Sequence, residues 1–290
     1  MHVSHLTTAQ LILLAAGPGF LLSIVIERYL FRGVRKARYE ARDTWANIAA
    51  GAGSQVLGAP WALAEVAALV ALYDVAPVHL HRGWAAWVIA MIGVDIAYYW
   101  YHRLHHESRV LWAIHVAHHS SQRYNLSVAL RQPWVVVSTL PFLAPLAVLG
   151  VSPSLILTSF AINLLYQFLI HTELIGRLWS PIEYLFNTPS HHRVHHGTNP
   201  QYLDRNYGGI LIVWDRMFGS FEPEVAPVVY GLTKNINTHN PFRIETHEWV
   251  AIYRDVRRAG SVREVLGYVF KHPGWTPARV ETASRVSVAA

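Results

Sequence analysis

Long apolar stretches, separated by short basic or aromatic segments, dominate the first 170 residues. Thr8–Leu30 is almost continuously apolar, and its length suits one helical crossing of a bilayer, which takes about 20 residues. Gly17-Pro18-Gly19 predicts a kink, which membrane helices tolerate. By the positive-inside rule, the basic residues that follow place the end of this helix on the cytoplasmic side: Arg32, Arg35, Lys36, Arg38 and Arg42.

Two further apolar regions predict a crossing outward and a crossing back. Thr44–Val75 is apolar or small and is interrupted at Gly58-Ala59-Pro60, which fits either one long kinked crossing or two broken segments. Trp84–Tyr101 ends in an aromatic run typical of a membrane interface and delivers His102 to the cytoplasmic face.

Pro133–Gly150 and Pro153–Ile170 predict an apolar hairpin that returns the chain to the cytoplasmic face at His171. The more polar remainder predicts a cytoplasmic cap, with a short β-like run within Asn206–Gly219. The basic, partly apolar tail from Trp249 fits equally well a helix lying on the membrane and a solvated helix.

The sequence therefore predicts a mainly α, polytopic helical membrane protein with about 4–6 membrane segments. Residues 1–171 form the transmembrane region and residues 172–290 the cytoplasmic cap and amphipathic C-terminal region. The start of the chain lacks the pattern of a cleaved signal peptide, so we expect the first helix to be retained.

Composition supports the membrane prediction and narrows the chemistry. Hydrophobic residues make up 52% of the chain and charged residues 14%, whereas soluble proteins average about 25% charged residues. We attribute the net charge of +6 to cytoplasmic loops and anionic lipid, not to nucleic-acid binding. The chain has no cysteine, which excludes disulfides, thiolate-ligated haem and cysteine-held iron–sulfur clusters. Histidine and carboxylate remain as strong metal ligands.

Histidines recur at spacings that place several imidazoles on one face of a helix. One pair is four residues apart, and two triplets have the form H-x-x-H-H. Eight or nine such histidines are too many for one ion, which takes about three or four protein ligands, so two metals are the natural inference. The histidines of the pair and the two triplets are the predicted metal-binding residues: His102, His106, His115, His118, His119, His192, His195 and His196.

These spacings resemble those of the fatty acid hydroxylase/sterol desaturase superfamily of integral-membrane, histidine-rich di-iron enzymes. The superfamily pattern of H-x(3)-H, H-x-x-H-H and a distal H-x-x-H-H matches residues 102–106, 115–119 and 192–196. The runs HVAHHSSQRYNLSVALRQ, NTPSHHRVHHGTNP and LDRNYGGILIVWDRMFGSFEPE are most similar to the branch that oxidises alkylglycerol ether lipids. The resemblance covers about residues 95–238, near half of the chain, which would be the catalytic core.

The resemblance implies that these eight histidines are catalytic and bind two iron ions, for which zinc can substitute, and that His171 is a further metal ligand. It also implies a membrane lipid substrate and O2. It implies a monooxygenase, with the active site on the cytoplasmic face, that converts an alkylglycerol into a fatty aldehyde. The implied reductant is tetrahydrobiopterin, whereas other members of the superfamily use cytochrome b5 or ferredoxin-type partners. No cofactor-binding residue for a reductant can be assigned from the sequence.

Residues near the motifs are candidates for orienting the imidazoles. Four carboxylates could accept imidazole N–H groups: Asp95, Glu107, Glu173 and Asp204. Asp95 shares a face with His102, two turns further along, so we expect it to support that histidine. His105 and His191 lie beside the motifs but off their pattern, and we expect them to be structural. No special role is expected for His2, His5, His79, His81, His239, His247 and His272.

Two other functions fit part of the pattern. The same di-iron centre could hydroxylate or desaturate a sterol, a fatty acyl chain, a carotenoid or a sphingoid base, and substrate-pocket shape would decide among them. A zinc-binding membrane protein or metal transporter would also be rich in histidine, but its ligands are expected near the bilayer midplane. Here the motifs follow directly after the predicted crossings.

Overall fold

The computed structural model describes residues 6–31, 39–81, 83–135, 138–278 and 280, with side chains from residue 16 onward. This part of the chain is mainly α, as predicted, with a 3₁₀ turn at Leu126–Leu130. The helices are α1 Leu6–Phe31, α2 Ala41–Asp74, α3 Trp84–Glu107, α4 Arg109–His119, α5 Leu140–Val148, α6 Pro153–Ile170, α7 Ser180–Leu185, α8 Pro189–His195, α9 Val213–Phe218, α10 Pro241–Arg257 and α11 Val262–Phe270.

Two of the described helices, α2 and α6, are long and apolar enough to cross a membrane, by length and composition. α2 is one continuous helix of 34 residues that contains Pro60, so the interruption near Gly58 does not divide it. Its length of about 51 Å exceeds the hydrocarbon thickness of about 30 Å. Crossing by α1 and α3 stays a prediction, as does the orientation drawn from the basic residues. Of these, Arg32, Arg35, Lys36 and Arg38 lie outside the described residues, as do His2 and His5.

The first arm of the predicted hairpin does not form a crossing helix. Only Leu140–Val148 is helical, a length of about 14 Å, which is too short to span a bilayer. The segment before it is held by side chains instead: the Pro133 carbonyl accepts from Ser54 Oγ at 2.7 Å, and the Trp134 indole donates to the Ala50 carbonyl at 3.1 Å. The prediction of a spanning segment at 133–150 is therefore wrong in this part.

The turn into α6 depends on Gly150. Its φ of +84° is unfavourable for other residues, and a Cβ there would collide with the Val78 carbonyl. Beyond this turn, α6 packs against α1 and α3.

The apolar core lies where α2, α3, α5 and α6 meet. Ala86, Ala90 and Val94 form one buried stripe along α3 and pack against Leu146 and Ile156. Alanines at this spacing let neighbouring helices approach closely. α3 is consequently fixed on several sides before it reaches the histidines at its C-terminal end.

The β-like run predicted within Asn206–Gly219 is wrong, because this segment forms one isolated bridge, Phe186 with Leu211, followed by α9. The backbone N–H groups that a strand would pair are bonded to two buried carboxylates. Asp215 accepts from Tyr207 and Gly208, and Asp95 accepts from the two residues that follow Gly209.

Candidate metal centre

All nine predicted metal-binding histidines lie in two adjacent buried groups. Within each group, every residue offers one nitrogen, and these atoms lie within 4.8 Å of one another. We call these the first group and the second group. The first contains His102, His106, His115, His119 and His195, and the second contains His118, His171, His192 and His196.

Each H-x-x-H-H triplet contributes to both groups. On α4, His115 and His119 belong to the first group, whereas His118 belongs to the second. The triplet that begins on α8 is divided in the opposite sense, with His195 alone in the first group. Residues at i and i+4 lie about 40° apart around a helix, whereas i+3 lies about 60° to the other side. One triplet can therefore serve two neighbouring ions.

The nitrogen atoms are spaced as ligands of a common ion would be. In the first group, the Nε2–Nε2 distance is 3.0 Å between His102 and His115, and 3.1 Å from His119 to both His115 and His195. Two nitrogens bound at about 2.1 Å and at right angles would lie about 3.0 Å apart, against about 3.4 Å in a tetrahedral site. These nitrogens are thus close enough to bind one ion together, and the five imidazoles of the first group exceed the four ligands of a tetrahedral site.

The second group repeats this spacing. His171 Nε2 lies 3.0 Å from His192 Nε2 and 3.1 Å from His118 Nε2. Thus His171, which the H-x-x-H-H patterns do not include, lies between His118 of α4 and His192 of α8 in the second group.

Backbone carbonyls fix the orientation of several imidazoles. A ring whose Nδ1–H donates to a carbonyl presents the Nε2 lone pair to the centre of the group, as metal-bound histidines commonly do. The Nδ1–carbonyl pairs are His102 with Tyr207 at 2.9 Å, His118 with Arg131 at 3.2 Å, His171 with Gln167 at 2.6 Å and His195 with Arg205 at 3.0 Å.

Unpartnered nitrogens show that the groups suit a cation. Nε2 of His106 in the first group and Nε2 of His196 in the second are buried with no hydrogen-bond partner in the described part of the chain. A buried polar atom without a partner is costly. Bound ions would satisfy both lone pairs, so the donor set fits two metals.

Burial keeps the imidazoles of His115, His118, His171 and His196 neutral and able to coordinate. Burial is the main cause that lowers the pKa of His115, His118 and His196 well below the ordinary value, and neighbouring imidazoles lower it further. Burial also lowers the pKa of His171 to about 4. Metal binding therefore needs no deprotonation at neutral pH.

Of the four candidate carboxylates, Asp204 is the one whose described contacts include a histidine of the groups. Its Oδ1 lies 3.6 Å from His106 Nδ1, and its Oδ2 accepts from His272 Nε2 at 2.9 Å. Glu107 pairs instead with Arg103, and Glu173 accepts from Tyr230 at 3.2 Å.

Asp95 acts differently from the expectation that it would support His102 directly. It accepts four hydrogen bonds, from the backbone of Ile210 and Leu211 and from the side chains of Trp214 and Asn163. It therefore anchors the segment whose Tyr207 carbonyl orients His102.

The two off-pattern histidines lie outside both groups. His105 bonds to the Tyr101 carbonyl and to Ser138 Oγ. His191 pairs with the buried Glu183 at 2.9 Å. Three of the remaining histidines also have partners elsewhere: His79 with Tyr73, His239 with Glu40, and His247 with Ile244.

A buried ion pair beside the second group was not foreseen. The Arg131 guanidinium donates to Asp43 Oδ1 at 2.6 Å and to Ser120 Oγ at 2.7 Å, and it also bonds Asn47. Since the Arg131 carbonyl orients His118, this network supports the second group. An arginine within the apolar run LSVALRQ was the available signal, because a buried cation needs a partner.

The sequence of this chain is similar to those of known lipid-oxidising enzymes. Residues 87–220 match a family model described as fatty acid hydroxylase. The chain is 39% identical to alkylglycerol monooxygenase of Xenopus tropicalis over 264 residues, which cover 90% of this chain and 58% of that protein. It is 47% identical to alkylglycerol monooxygenase of Homo sapiens over 194 residues, 67% of this chain and 43% of that protein.

A more distant relative is ornithine lipid hydroxylase of Rhizobium tropici, 30% identical over 155 residues, 51% of this chain and 46% of that protein. The chain thus spans about half the length of these relatives. No solved structure matches it.

Proposed function

Because residues 87–220 match the fatty acid hydroxylase family model, we propose that the protein is a membrane-bound, O2-dependent lipid monooxygenase that works with two iron ions. The observation that carries the proposal is the pair of buried histidine groups, five imidazoles beside four. Neutral imidazole suits iron, and a coordination number above four suits it better than the tetrahedral sites typical of zinc.

The first group would hold one ion through His102, His106, His115, His119 and His195, and the second group would hold the other through His118, His171, His192 and His196. Zinc can occupy such sites in place of iron, because imidazole binds both. Bound iron would supply the activation of O2 and the oxidation of an unactivated C–H bond.

The substrate class that we propose is an alkylglycerol, as the names of the two most similar relatives reported above indicate. One oxygen atom of O2 would enter the C–H bond beside the ether oxygen, and the other would leave as water with two electrons and two protons. The product is a hemiacetal. It collapses to glycerol and a fatty aldehyde, as the C–O bond breaks and the hydroxyl proton passes to the glycerol oxygen.

The protein contributes orientation and exclusion of water. Backbone carbonyls orient imidazoles such as those of His102 and His118, and all nine side chains are buried. A dry, preorganised cavity suits an apolar chain and limits side reactions of O2 chemistry.

The electrons would come from outside the chain. Tetrahydrobiopterin is our first candidate, and cytochrome b5 or a ferredoxin-type protein are the others. The sequence has no cysteine for a cluster and no glycine-rich dinucleotide motif after a strand.

In the membrane, we propose a multi-pass arrangement with the active site on the cytoplasmic face. Residues 1–171 would form the membrane region and residues 172–290 the cap. α2 and α6 support this arrangement by length and composition, and His171 follows α6 directly.

A second candidate is hydroxylation of another lipid without cleavage. The likeness to ornithine lipid hydroxylase supports it. It requires the same histidine groups but releases no aldehyde.

The test is aldehyde release measured by mass spectrometry. Membranes containing the protein receive a long-chain alkylglycerol, a tetrahydropterin and O2. We expect aldehyde from the wild type and from His247→Ala, a histidine outside both groups, and none from His118→Ala. Metal content measured on the same preparations should be near two irons per chain in the active proteins.

Absence of aldehyde from a wild type that holds two irons would contradict either the alkylglycerol assignment or the pterin as donor, and absence with each of the other donors as well would contradict the alkylglycerol assignment. Hydroxylated lipid found instead would favour the second candidate. A wild type that binds no iron when supplied with it would contradict the di-iron proposal itself.

A further inference from the structure

A stretch of the predicted cytoplasmic cap, Leu174–Phe186, exposes more apolar surface than a cap in water normally does. In its sequence, LIGRLWSPIEYLF, every residue except Glu183 is exposed. The exposed large apolar side chains are Leu174, Ile175, Leu178, Trp179, Ile182, Tyr184, Leu185 and Phe186. Proteins rarely leave a contiguous apolar patch of this kind facing water unless it is an interaction site.

We propose that Leu174–Phe186 lies in the interfacial region of the phospholipid bilayer and anchors the cap to it. The proposal rests on the membrane location inferred above but not on the substrate or the chemistry. The segment begins four residues after α6 ends at Ile170, so it cannot be far from the membrane surface if α6 crosses.

A contact with α1 places the start of the segment beside the C-terminal end of that helix. Thr172 donates through its hydroxyl to Glu27 of α1, one turn before that helix ends. Beside Glu27, Tyr29 and Leu30 are themselves exposed, at 69% and 51%. The last turn of α1 therefore also exposes apolar side chains, and it is joined through Glu27 to the residue two positions before the segment.

The charge pattern favours lipid over a protein partner as the occupant. The one acidic residue, Glu183, is buried and points inward, and the one basic residue, Arg177, is exposed. Trp179 is 74% exposed and Tyr184 is 61% exposed. Aromatic side chains with an arginine and no exposed carboxylate are typical of residues at the headgroup level.

The inward face joins the segment to the helix that carries the distal histidines. Glu183 accepts from the Leu178 backbone at 2.7 Å, from Ser190 Oγ at 2.7 Å and from His191 Nε2 at 2.9 Å. Arg193 donates to the Ile175 carbonyl at 2.7 Å. An anchor in the bilayer would thus set the height of α8, and with it the position of the second group relative to the lipid.

The absence of cysteine allows a direct test by site-specific labelling. Trp179→Cys and Tyr184→Cys report on the segment, and Lys234→Cys, in an exposed polar loop of the cap, is the matched control. Each variant is labelled with an environment-sensitive fluorophore and reconstituted as one chain per nanodisc. The fluorescence of each label is then measured with two quenchers, iodide dissolved in the water and lipids that carry a nitroxide near the headgroup.

We expect the labels at 179 and 184 to lose iodide quenching, to be quenched by nitroxide lipid and to emit at shorter wavelength, whereas the label at 234 shows the reverse. Iodide quenching at 179 and 184 equal to that at 234 would overturn the proposal. Protection from both quenchers would also overturn it, because it would place a protein surface there. Variants must keep the wild-type metal content; otherwise Leu178→Cys and Leu185→Cys replace them.

The measurement needs no turnover. A protein that oxidises no alkylglycerol still reports the depth of the segment, so failure of this proposal and failure of the proposed activity are distinguishable.

Discussion

Asp95→Asn tests whether the first histidine group depends on a carboxylate that touches none of its members. Asp95 is 2% exposed and accepts four hydrogen bonds, two at each oxygen. Asparagine has nearly the same shape, so the substitution creates no cavity. It replaces one acceptor oxygen with an NH2 donor.

The magnitude follows from the bonds lost. If the new NH2 takes the place of Oδ2, the Leu211 N–H and the Trp214 indole lose their acceptor; in the other orientation, Asn163 and the Ile210 N–H do. Hydrogen bonds to a charged group contribute about 1.5–3 kcal/mol each, so two lost bonds amount to about 3–6 kcal/mol. Relief from burying a charge offsets part of this, so we expect about 3 kcal/mol.

Function should change along with stability. The anchored segment supplies the Tyr207 carbonyl that orients His102, at 2.9 Å. We therefore expect Asp95→Asn to weaken metal binding in the first group more than in the second.

The assay is equilibrium unfolding in mixed micelles together with metal content after chelator competition. Asp74→Asn, at an exposed aspartate in the last turn of α2, is the matched control. A loss below about 1 kcal/mol, the net contribution of one ordinary hydrogen bond, would refute the anchor role. Equal loss of metal from both groups would refute the idea that Asp95 acts on the first group through the Tyr207 carbonyl and His102.

Three further predictions concern charge. First, the metal-free protein should lose stability as pH falls from 6.5 to 4, because histidines of the unfolded chain bind protons in this range and the buried imidazoles do not. His171, with its pKa lowered to about 4, alone accounts for a loss of about 3 kcal/mol. Equilibrium unfolding at several pH values measures it. Second, Asp204→Asn should weaken metal binding in the first group about tenfold, and His272→Gln less, by chelator competition. Third, burial raises the pKa of Glu245 to about 7, so ionisation of this carboxyl lowers the stability of the folded protein as pH rises from 4.5 to 7. At pH 8, Glu245→Gln should therefore be more stable than the wild type by up to about 3 kcal/mol. At pH 4 the two proteins should be about equally stable.

Helical periodicity accounts for much of what could be predicted. The α class, the approximate bounds of α1, the bounds of α6 and the start of α3 follow from apolar runs of suitable length, whereas α3 continues past its apolar run to Glu107. The stretch 133–150 is equally apolar, yet its described part is helical only at Leu140–Val148. Bonds from distant side chains hold the backbone before that helix. Composition along the chain carries no information about those distant partners.

The same limit explains the residues around the histidines. Spacing identified eight histidines as a set, and the resemblance to the superfamily added His171. The pairing of Arg131 with Asp43, however, joins positions 88 apart in sequence, and that of Asp95 with Trp214 joins positions 119 apart. Contacts at such separation depend on how the helices pack, which one sequence does not encode in any local pattern. Among the carboxylates, only proximity could separate Asp204 from Glu107.

The division of the histidines explains why the H-x-x-H-H spacing occurs twice. A pair at i and i+4 would serve one ion, and the residue at i+3, on the other side of the helix face, would serve its neighbour; α4 and α8 do this in opposite senses. Each group takes histidines from both helices, so a shift of either helix displaces both groups. His171 and the pair on α3 complete the two groups from outside. Two ions bound in this way would share one scaffold, and an anchor that sets the height of α8 would position both at once.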